Sequence, residues 1–202
     1  MRSSHLSFQE YFTVRAICTE KHRLALPRGS PPWKWGPFWA NVVKLGRENG
    51  TDFGNGLLRA AGVEGDELDL SGKLGGEESD EFLGDKERGT RNLSEKLVGD
   101  RPTVLAVVCA LLGSLKVLDL SSNKLRQNGG AVLAKALKLN CSLTSLDVGD
   151  NNIGRETALE LVKIFKGKQM VSVGLAGCDL GADGAKQVVN YVRDNSSLTS
   201  LD

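Results

Sequence analysis

The sequence predicts an α/β fold: a solenoid with a parallel concave sheet and convex helices, preceded by a small helical segment. Two observations carry this prediction. Leucine supplies 30 of the 202 residues while aromatic residues make up 5%, so the core is built from many similar aliphatic side chains. The second half of the chain also repeats itself with a period of 27 or 28 residues, which is the signature of stacked repeats.

The first region, residues 1–62, is predicted to form the helical segment. Ser7 and Glu10 have the S-x-x-E spacing of a capping box at a helix start. Apolar residues with the spacing of one helix face follow: Phe8, Tyr11, Phe12 and Val14.

All three tryptophans of the chain, Trp33, Trp35 and Trp39, lie in one short proline-rich stretch of this region. Aromatic residues at this density predict a hot spot for a partner. The alternative is that they pack the helical segment onto the exposed end of the solenoid, which needs covering. We favour the packing interpretation and keep the binding interpretation open.

The middle region, residues 63–101, is predicted to be an acidic, mobile insertion in a degenerate first repeat. Residues 61–100 contain 12 acidic and 5 basic side chains, and few large apolar ones that could be buried. The alternative interpretation is an acidic docking segment.

The third region, residues 102–202, is predicted to hold the repeats. Pro102 stands where a helix is expected to start, and apolar residues lie one period before those of the first full copy, namely Leu97, Leu105 and Cys109. Three full copies begin at Leu115, Leu143 and Met170, and a fourth begins at Leu198.

Each copy has an alternating apolar strand followed by apolar residues at helical spacing. The strand positions are Leu118, Leu120 and Leu125, then Leu146, Val148 and Ile153, then Val173, Leu175 and Leu180. The helix positions are Leu133, Leu137, Leu161, Phe165, Val188 and Val192. One copy cannot bury both faces by itself, so stacked copies are expected to share one continuous core.

These copies resemble leucine-rich repeats of the ribonuclease-inhibitor type, over Leu115–Asp202. The resemblance implies that Asn123, Asn151 and Cys178 occupy the structural position where a side chain satisfies backbone groups left free as the strand turns away. It also implies a protein-interaction scaffold.

A second resemblance concerns the segment HLSFQEYF at His5–Phe12. They are similar to the helix that closes the nucleotide-binding module of NOD-like (NACHT) receptors, just before their leucine-rich repeats. The chain has no G-x-x-x-x-G-K-[ST] phosphate loop, so nucleotide hydrolysis is not implied.

Composition narrows the possible functions. The two histidines, His5 and His22, and four dispersed cysteines offer no catalytic constellation and no zinc ligand set, so we expect no enzyme, cofactor, metal or small-molecule substrate. A net charge of +1 gives no reason to expect a nucleic-acid partner. The longest apolar run is nine residues, too short to cross a membrane, and the pattern of cysteines is typical of a cytoplasmic protein.

The candidate binding site is the concave face of the solenoid. Asp119 and Asp147 share one repeat position, which Asp202 takes again, so the three are expected to align across the sheet. The other candidates on this face are Lys116, Ser121 and Thr144. The hypothesis is that this face binds a protein partner of unknown identity. Three alternatives remain: the aspartates belong only to the repeat pattern, the chain is a ribonuclease-inhibitor-like regulator of a small GTPase, or it is a truncated fragment without independent activity.

Overall fold

The computed structural model describes residues 3–19, 30–35, 39–74, 102–139 and 142–202. The helices are α1 Ser3–Thr19, α2 Ala40–Gly46, α3 Gly50–Ala60, α4 Pro102–Leu111, α5 Arg126–Leu139, α6 Arg155–Lys166 and α7 Gly181–Asp194. Short 3₁₀ helices span Pro32–Lys34 and Arg47–Asn49. The strands are β1 Glu67–Asp69, β2 Val117–Asp119, β3 Ser145–Asp147, β4 Ser172–Gly174 and β5 Ser200–Leu201.

The five strands form one parallel sheet in chain order, β1 to β5. One register row crosses the sheet through equivalent apolar residues: Leu68, Leu118, Leu146, Val173 and Leu201. Helices α5, α6 and α7 each follow a strand and pack against one another. The predicted α/β leucine-rich repeat solenoid is therefore confirmed, with helices before the repeats.

The apolar positions of the repeats form one continuous core. Eight of the nine predicted strand positions are buried, and Leu180 is half-buried against the same core. In the first two copies the helix positions Leu133, Leu137, Leu161 and Phe165 are at most 1% exposed. Each such side chain stabilises the fold by roughly 1.5–3 kcal/mol relative to an exposed one.

The prediction for the last helix is wrong at one position. Val192 is 42% exposed, although its counterparts Leu137 and Phe165 are buried. The physical reason is that α7 packs on α6, and no described helix covers its other flank. Burial at this position requires a neighbour on both sides.

The first strand lies 50 residues before its partner rather than one period, since Glu67 pairs with Val117. Its segment Leu68-Asp69-Leu70 has the same pattern as Leu118-Asp119-Leu120. Helix α4 begins at Pro102, as the sequence predicts. Residues 75–101, which include Leu97 and most of the predicted acidic insertion, lie outside the described residues, so the division of the chain into three regions stays a prediction.

Helix α1 differs from its prediction in two ways. It begins at Ser3, so Ser7 lies inside the helix and the capping-box prediction is wrong. Tyr11 and Phe12 are exposed, because α1 packs on α2 and α3 through a different face, whose buried residues are Val14, Ala16 and Ile17. The side chain of Phe8 lies outside the described residues.

Candidate functional site

A row of aspartates crosses the concave sheet. Asp69, Asp119 and Asp147 are register partners on β1, β2 and β3. Asp147 pairs with Gly174, and Asp202 follows Leu201 at the next equivalent position. We call Asp69, Asp119, Asp147 and Asp202 the aspartate row. Neighbouring positions in the row are about 4.8 Å apart, which is the spacing of strands in a sheet.

One carboxylate oxygen in three of these aspartates holds the chain as it leaves the strand. The Ser121 N–H donates to Asp119 Oδ1 at 2.8 Å, and the Gly149 N–H donates to Asp147 Oδ1 at 2.8 Å. Asp69 accepts from the Ser71 N–H in the same way. This two-residue contact is the Asx turn, so these aspartates have a local structural role in addition to any binding role.

The aspartate row is neutralised at its first position. Lys73 pairs with Asp69 at 2.7 Å, and this hydrogen bond, together with those from Ser71, lowers the pKa of Asp69 to about 2. Lys116 pairs with Asp66 at 2.8 Å, which raises the pKa of the Lys116 ammonium. Lys116 is thus engaged with an aspartate at the edge of the concave face.

The rest of the aspartate row carries charge without a matching cation. Within the described ranges, no lysine or arginine pairs with Asp119, Asp147 or Asp202. Asp119 and Asp147 are half-buried, and Asp202 is exposed. This part of the concave face is therefore negatively charged and open.

Two glycines of β4 and its turn make room for carboxylates of the preceding repeat. A Cβ at Gly174 would lie 2.3 Å from the Asp147 carboxyl carbon. A Cβ at Gly177, whose φ is +64°, would overlap the Asp150 carboxylate. The gap in the aspartate row at Gly174 is therefore filled by the side chain of Asp147.

Small side chains cover the remaining concave surface. The residues beside the aspartate row are Ser121, Thr144, Ser145, Gly149, Ser172 and Ala176. Thr144 and Ser121 also serve the fold, because the Thr144 hydroxyl donates to Lys116 O at 3.3 Å and Ser121 O accepts from Gly72 N at 2.9 Å. A partner could approach the sheet closely here, since few long side chains stand in the way.

A second periodic row, which we call the asparagine row, consists of Asn123, Asn151 and Cys178. Asn151 is fully buried, and its amide donates to Leu120 O, Val148 O and Gly149 O at 2.8–3.0 Å. Its Oδ1 accepts from the N–H groups of Asn123 and Leu125 at 2.9 and 3.2 Å. This side chain thus joins its own repeat to the preceding one.

Asn123 does the same one repeat earlier. Its amide donates to Leu70 O and Leu120 O, and its Oδ1 accepts from Leu74 N at 2.9 Å. Residues with positive φ flank the asparagine row in every copy: Ser122, Lys124, Asp150, Asn152, Gly177 and Asp179. The amides hold the backbone in this strained left-handed turn.

At the third position of the asparagine row, Cys178 provides a thiol, which is a weaker hydrogen-bonding group than an amide. Its thiol is buried and donates to Val148 O at 3.4 Å. Burial, together with the smaller effect of the charges of Asp147 and Asp150, raises the pKa of Cys178 to about 11. A thiol cannot bridge several backbone groups as an amide does, so the last two full repeats are joined less firmly.

The tryptophan segment lies against the first repeat. Trp33 and Trp35 are buried, and the Trp35 indole donates to Ser30 O at 3.0 Å. Trp39 is half-buried, with its ring centroid 4.6 Å from that of Trp35. The short helix Pro32–Lys34 packs on α4, so the geometry favours packing over an exposed hot spot.

Other site types receive no support from the described residues. No group of three His, Cys, Asp or Glu side chains there could hold a metal ion, and no helix in those ranges is both long and apolar enough to span a membrane. An open groove of about 730 Å³ lies on the helical side, lined in part by Lys138, Glu160 and Lys163. It does not include the aspartate row.

Sequence reasoning missed Asp66, Asp69 and Asp150 as members of the concave surface. For Asp69 a signal was present, because Leu68-Asp69-Leu70 matches Leu118-Asp119-Leu120. Asp150 gave no such signal, since its counterparts Ser122 and Gly177 are different residue types.

The sheet, the buried leucines and the asparagine row together define an α/β leucine-rich repeat solenoid. The family model described as Leucine Rich repeat matches residues 114–134 and 139–161, which contain β2 and β3 and the start of the helix after each. Residues 114–161 are therefore similar to leucine-rich repeats, and proteins that contain such repeats generally act as interaction scaffolds. No curated protein and no solved structure matches the chain.

Proposed function

We propose that this chain is a protein-interaction scaffold that binds a protein partner on its concave face. The observation that carries the proposal is the aspartate row beyond Asp69: Asp119, Asp147 and Asp202 carry charge that no described cation neutralises. Charged groups on a surface of small side chains can be desolvated by a complementary partner, which gives specificity and fast association.

The scaffold acts by recognition rather than by catalysis in this proposal. The histidines are His5 and His22, both far along the chain from the aspartate row. Asp119 and Asp147 each use one oxygen for an Asx turn, which suits a fixed recognition group. We also propose a cytoplasmic location, which the dispersed cysteines support.

The proposed context is the repeat end of a NOD-like receptor. It rests on the resemblance of His5–Phe12, which falls within α1 and precedes the repeats in the expected order. The transcript on either side of this chain tests the context. A phosphate-loop module encoded upstream would support it, and an upstream region without one would contradict it.

Site-specific photocrosslinking tests the binding face. A photoreactive residue is placed in the full chain at Ser172 on the concave sheet, or at the exposed Lys166 on α6 as the matched control. We expect Ser172 to label a discrete protein that Lys166 does not label. The labelling is expected to disappear when Asp119→Lys and Asp147→Lys are added. Labelling from Lys166 instead, or labelling that survives both substitutions, would place the site elsewhere.

A further inference from the structure

The three repeat copies are not joined to one another equally. We call the contact between the copies that contain β2 and β3 the first joint, and the contact between the copies that contain β3 and β4 the second joint. A solenoid is held together largely by the contacts between neighbouring repeats, so a joint with fewer of them can open before the rest of the array unfolds. The second joint differs from the first at three sequence positions.

The first difference is in the asparagine row. At the first joint, the Asn151 side chain donates to Leu120 O and accepts from two N–H groups of the preceding copy. At the second joint, Cys178 has one hydrogen bond to the preceding copy, from its thiol to Val148 O at 3.4 Å. Because a thiol is a weak donor, one weak hydrogen bond replaces three.

The second difference lies just before the strands. The Ser142 hydroxyl donates to Leu115 O of the preceding copy. Ser197 has the equivalent position before β5, and its hydroxyl donates to Met170 O at 2.8 Å. At the second joint this position is taken by Gln169, which is exposed and whose side chain has no hydrogen bond to any described residue. The second joint therefore lacks this side-chain link as well.

The third difference is at the end of the strand. Asp119 and Asp147 each hold the chain as it leaves β2 and β3. Strand β4 instead ends at Gly174, which has no side chain that could do the same, and Gly177 follows with a φ of +64°. Glycine gains more conformational freedom on unfolding than any other residue, so this part of the third copy gains entropy when it opens.

The third copy is also held by fewer buried side chains. Residues 143–169 contain nine buried hydrophobic residues, whereas residues 170–197 contain five. One of these five is Tyr191, whose hydroxyl group is buried without a hydrogen-bond partner among the described residues. An unsatisfied buried polar group destabilises the closed state, and opening allows water to bind this hydroxyl group.

Ion pairs do not offset the difference between the two joints. Lys138 pairs with Glu160 across the first joint, and Arg155 pairs with Asp183 across the second. All four side chains are at least 40% exposed, and exposed pairs contribute little to stability.

We infer that the second joint is an opening point built into the fold: residues 170–202 separate from the second copy and close again as one unit, while the copies before them stay folded. Strand β5 moves with this unit because Leu175 N donates to Asp202 O at 2.7 Å and Ser197 bonds to Met170. Opening makes the Cys178 thiol accessible and divides the concave sheet between β3 and β4. The inference does not depend on the proposed binding face.

Hydrogen exchange of the full chain, followed by mass spectrometry of its peptides, tests the inference. Exchange is measured at several urea concentrations below the unfolding transition. We expect peptides from residues 170–202 to exchange about tenfold faster than those from residues 115–165. Their rates are expected to depend less on urea, because opening one copy exposes less surface than global unfolding. Alkylation of Cys178 is expected to show the same urea dependence as these peptides.

A variant that restores both side-chain links tests the physical cause. In Gln169→Ser with Cys178→Asn, a serine hydroxyl and an asparagine amide take the places that Ser142 and Asn151 have at the first joint. We expect exchange of residues 170–202 to slow about tenfold. The matched control is Gln127→Ser at an exposed position of α5, which is expected to leave exchange of residues 170–202 unchanged.

Three results would overturn the inference. The first is exchange of residues 115–165 and 170–202 at equal rates with equal urea dependence, which means that the array opens as a whole. The second is fast exchange confined to the end of α7 and β5 while β4 stays as protected as β3, which means that only the end of the chain frays. The third is fast exchange of residues 170–202 that Gln169→Ser with Cys178→Asn does not slow.

Discussion

The asparagine row and the aspartate row have the same period but different surroundings. Asn151 is completely buried, and its amide engages five backbone groups. Asp147 is half-buried and has one hydrogen bond, from Gly149 N. Recurrence along the sequence therefore does not tell a structural row from a binding row. The two rows are distinguished by the number of hydrogen bonds that each side chain makes and by the exposure of the charged group. A buried polar side chain needs hydrogen-bond partners within the fold.

The largest expected effect is on the asparagine row. Asn151→Ala leaves several buried backbone groups without partners, and each costs about 1–3 kcal/mol. We expect the free energy of unfolding to fall by about 3 kcal/mol. Urea denaturation followed by circular dichroism measures it.

Asn190→Ala on the exposed side of α7 is the control, with an expected change below about 0.5 kcal/mol. If Asn151→Ala were as mild as this control, the asparagine row would not hold the repeats together.

A smaller effect is expected where the two repeats meet at Gly174. Gly174→Ala places a methyl group on the Asp147 carboxylate, which must move and lose its hydrogen bond to Gly149. We expect a loss of about 1–2 kcal/mol.

A double-mutant cycle checks this explanation. Asp147→Ala removes the obstacle, so Gly174→Ala is expected to cost less in that background. Equal costs in both backgrounds would show that Gly174 is required for another reason.

An opposite change is expected at the weak position of the asparagine row. Cys178→Asn can donate to Val148 O and offers an oxygen to the N–H groups of Asn151 and Ile153, as Asn151 does for Asn123 and Leu125. We expect the free energy of unfolding to rise by about 1 kcal/mol. A loss of stability, measured in the same urea experiment, would mean that Cys178 is favoured by its fit to the core.

The pH dependence of unfolding, compared between the wild type and Cys178→Asn, tests the same position of the asparagine row. The ordinary pKa of a cysteine is 9.0, and burial raises the pKa of Cys178 to about 11. Between these values the unfolded chain releases the thiol proton while the folded chain keeps it, so the wild type loses stability as pH rises. The advantage of Cys178→Asn is therefore expected to grow from pH 9 to pH 11. A constant difference over this range would contradict the raised pKa.

The repeats could be predicted from sequence because their burial is periodic. Leu118, Leu146 and Val173 lie in one register row, and each residue's position in its copy sets its neighbours. Strand β1 could not be predicted from this periodicity. The segment Leu68–Leu74 has one residue fewer than Leu118–Leu125 and lacks the asparagine, yet Leu74 N binds Asn123 Oδ1 as Leu125 N binds Asn151 Oδ1.

Outside the repeats, the choice of buried face depends on tertiary neighbours. In α1 the sequence offers Tyr11 and Phe12 as apolar candidates, but the helices packed against it cover Val14 and Ile17. A Cβ at Gly56 of α3 would lie 2.2 Å from Ile17 O, so this close crossing depends on a glycine. Helical periodicity carries no information about such a crossing.

The central claim is that the aspartate row serves binding while the asparagine row serves the fold. The most direct test measures both stability and partner binding on one variant, which carries Asp119→Asn and Asp147→Asn. We expect the urea unfolding free energy to stay within about 1 kcal/mol of the wild type, while photocrosslinking of the partner from Ser172 is lost. Undiminished crosslinking in a folded variant, or unfolding of the variant itself, would contradict this division between the two rows.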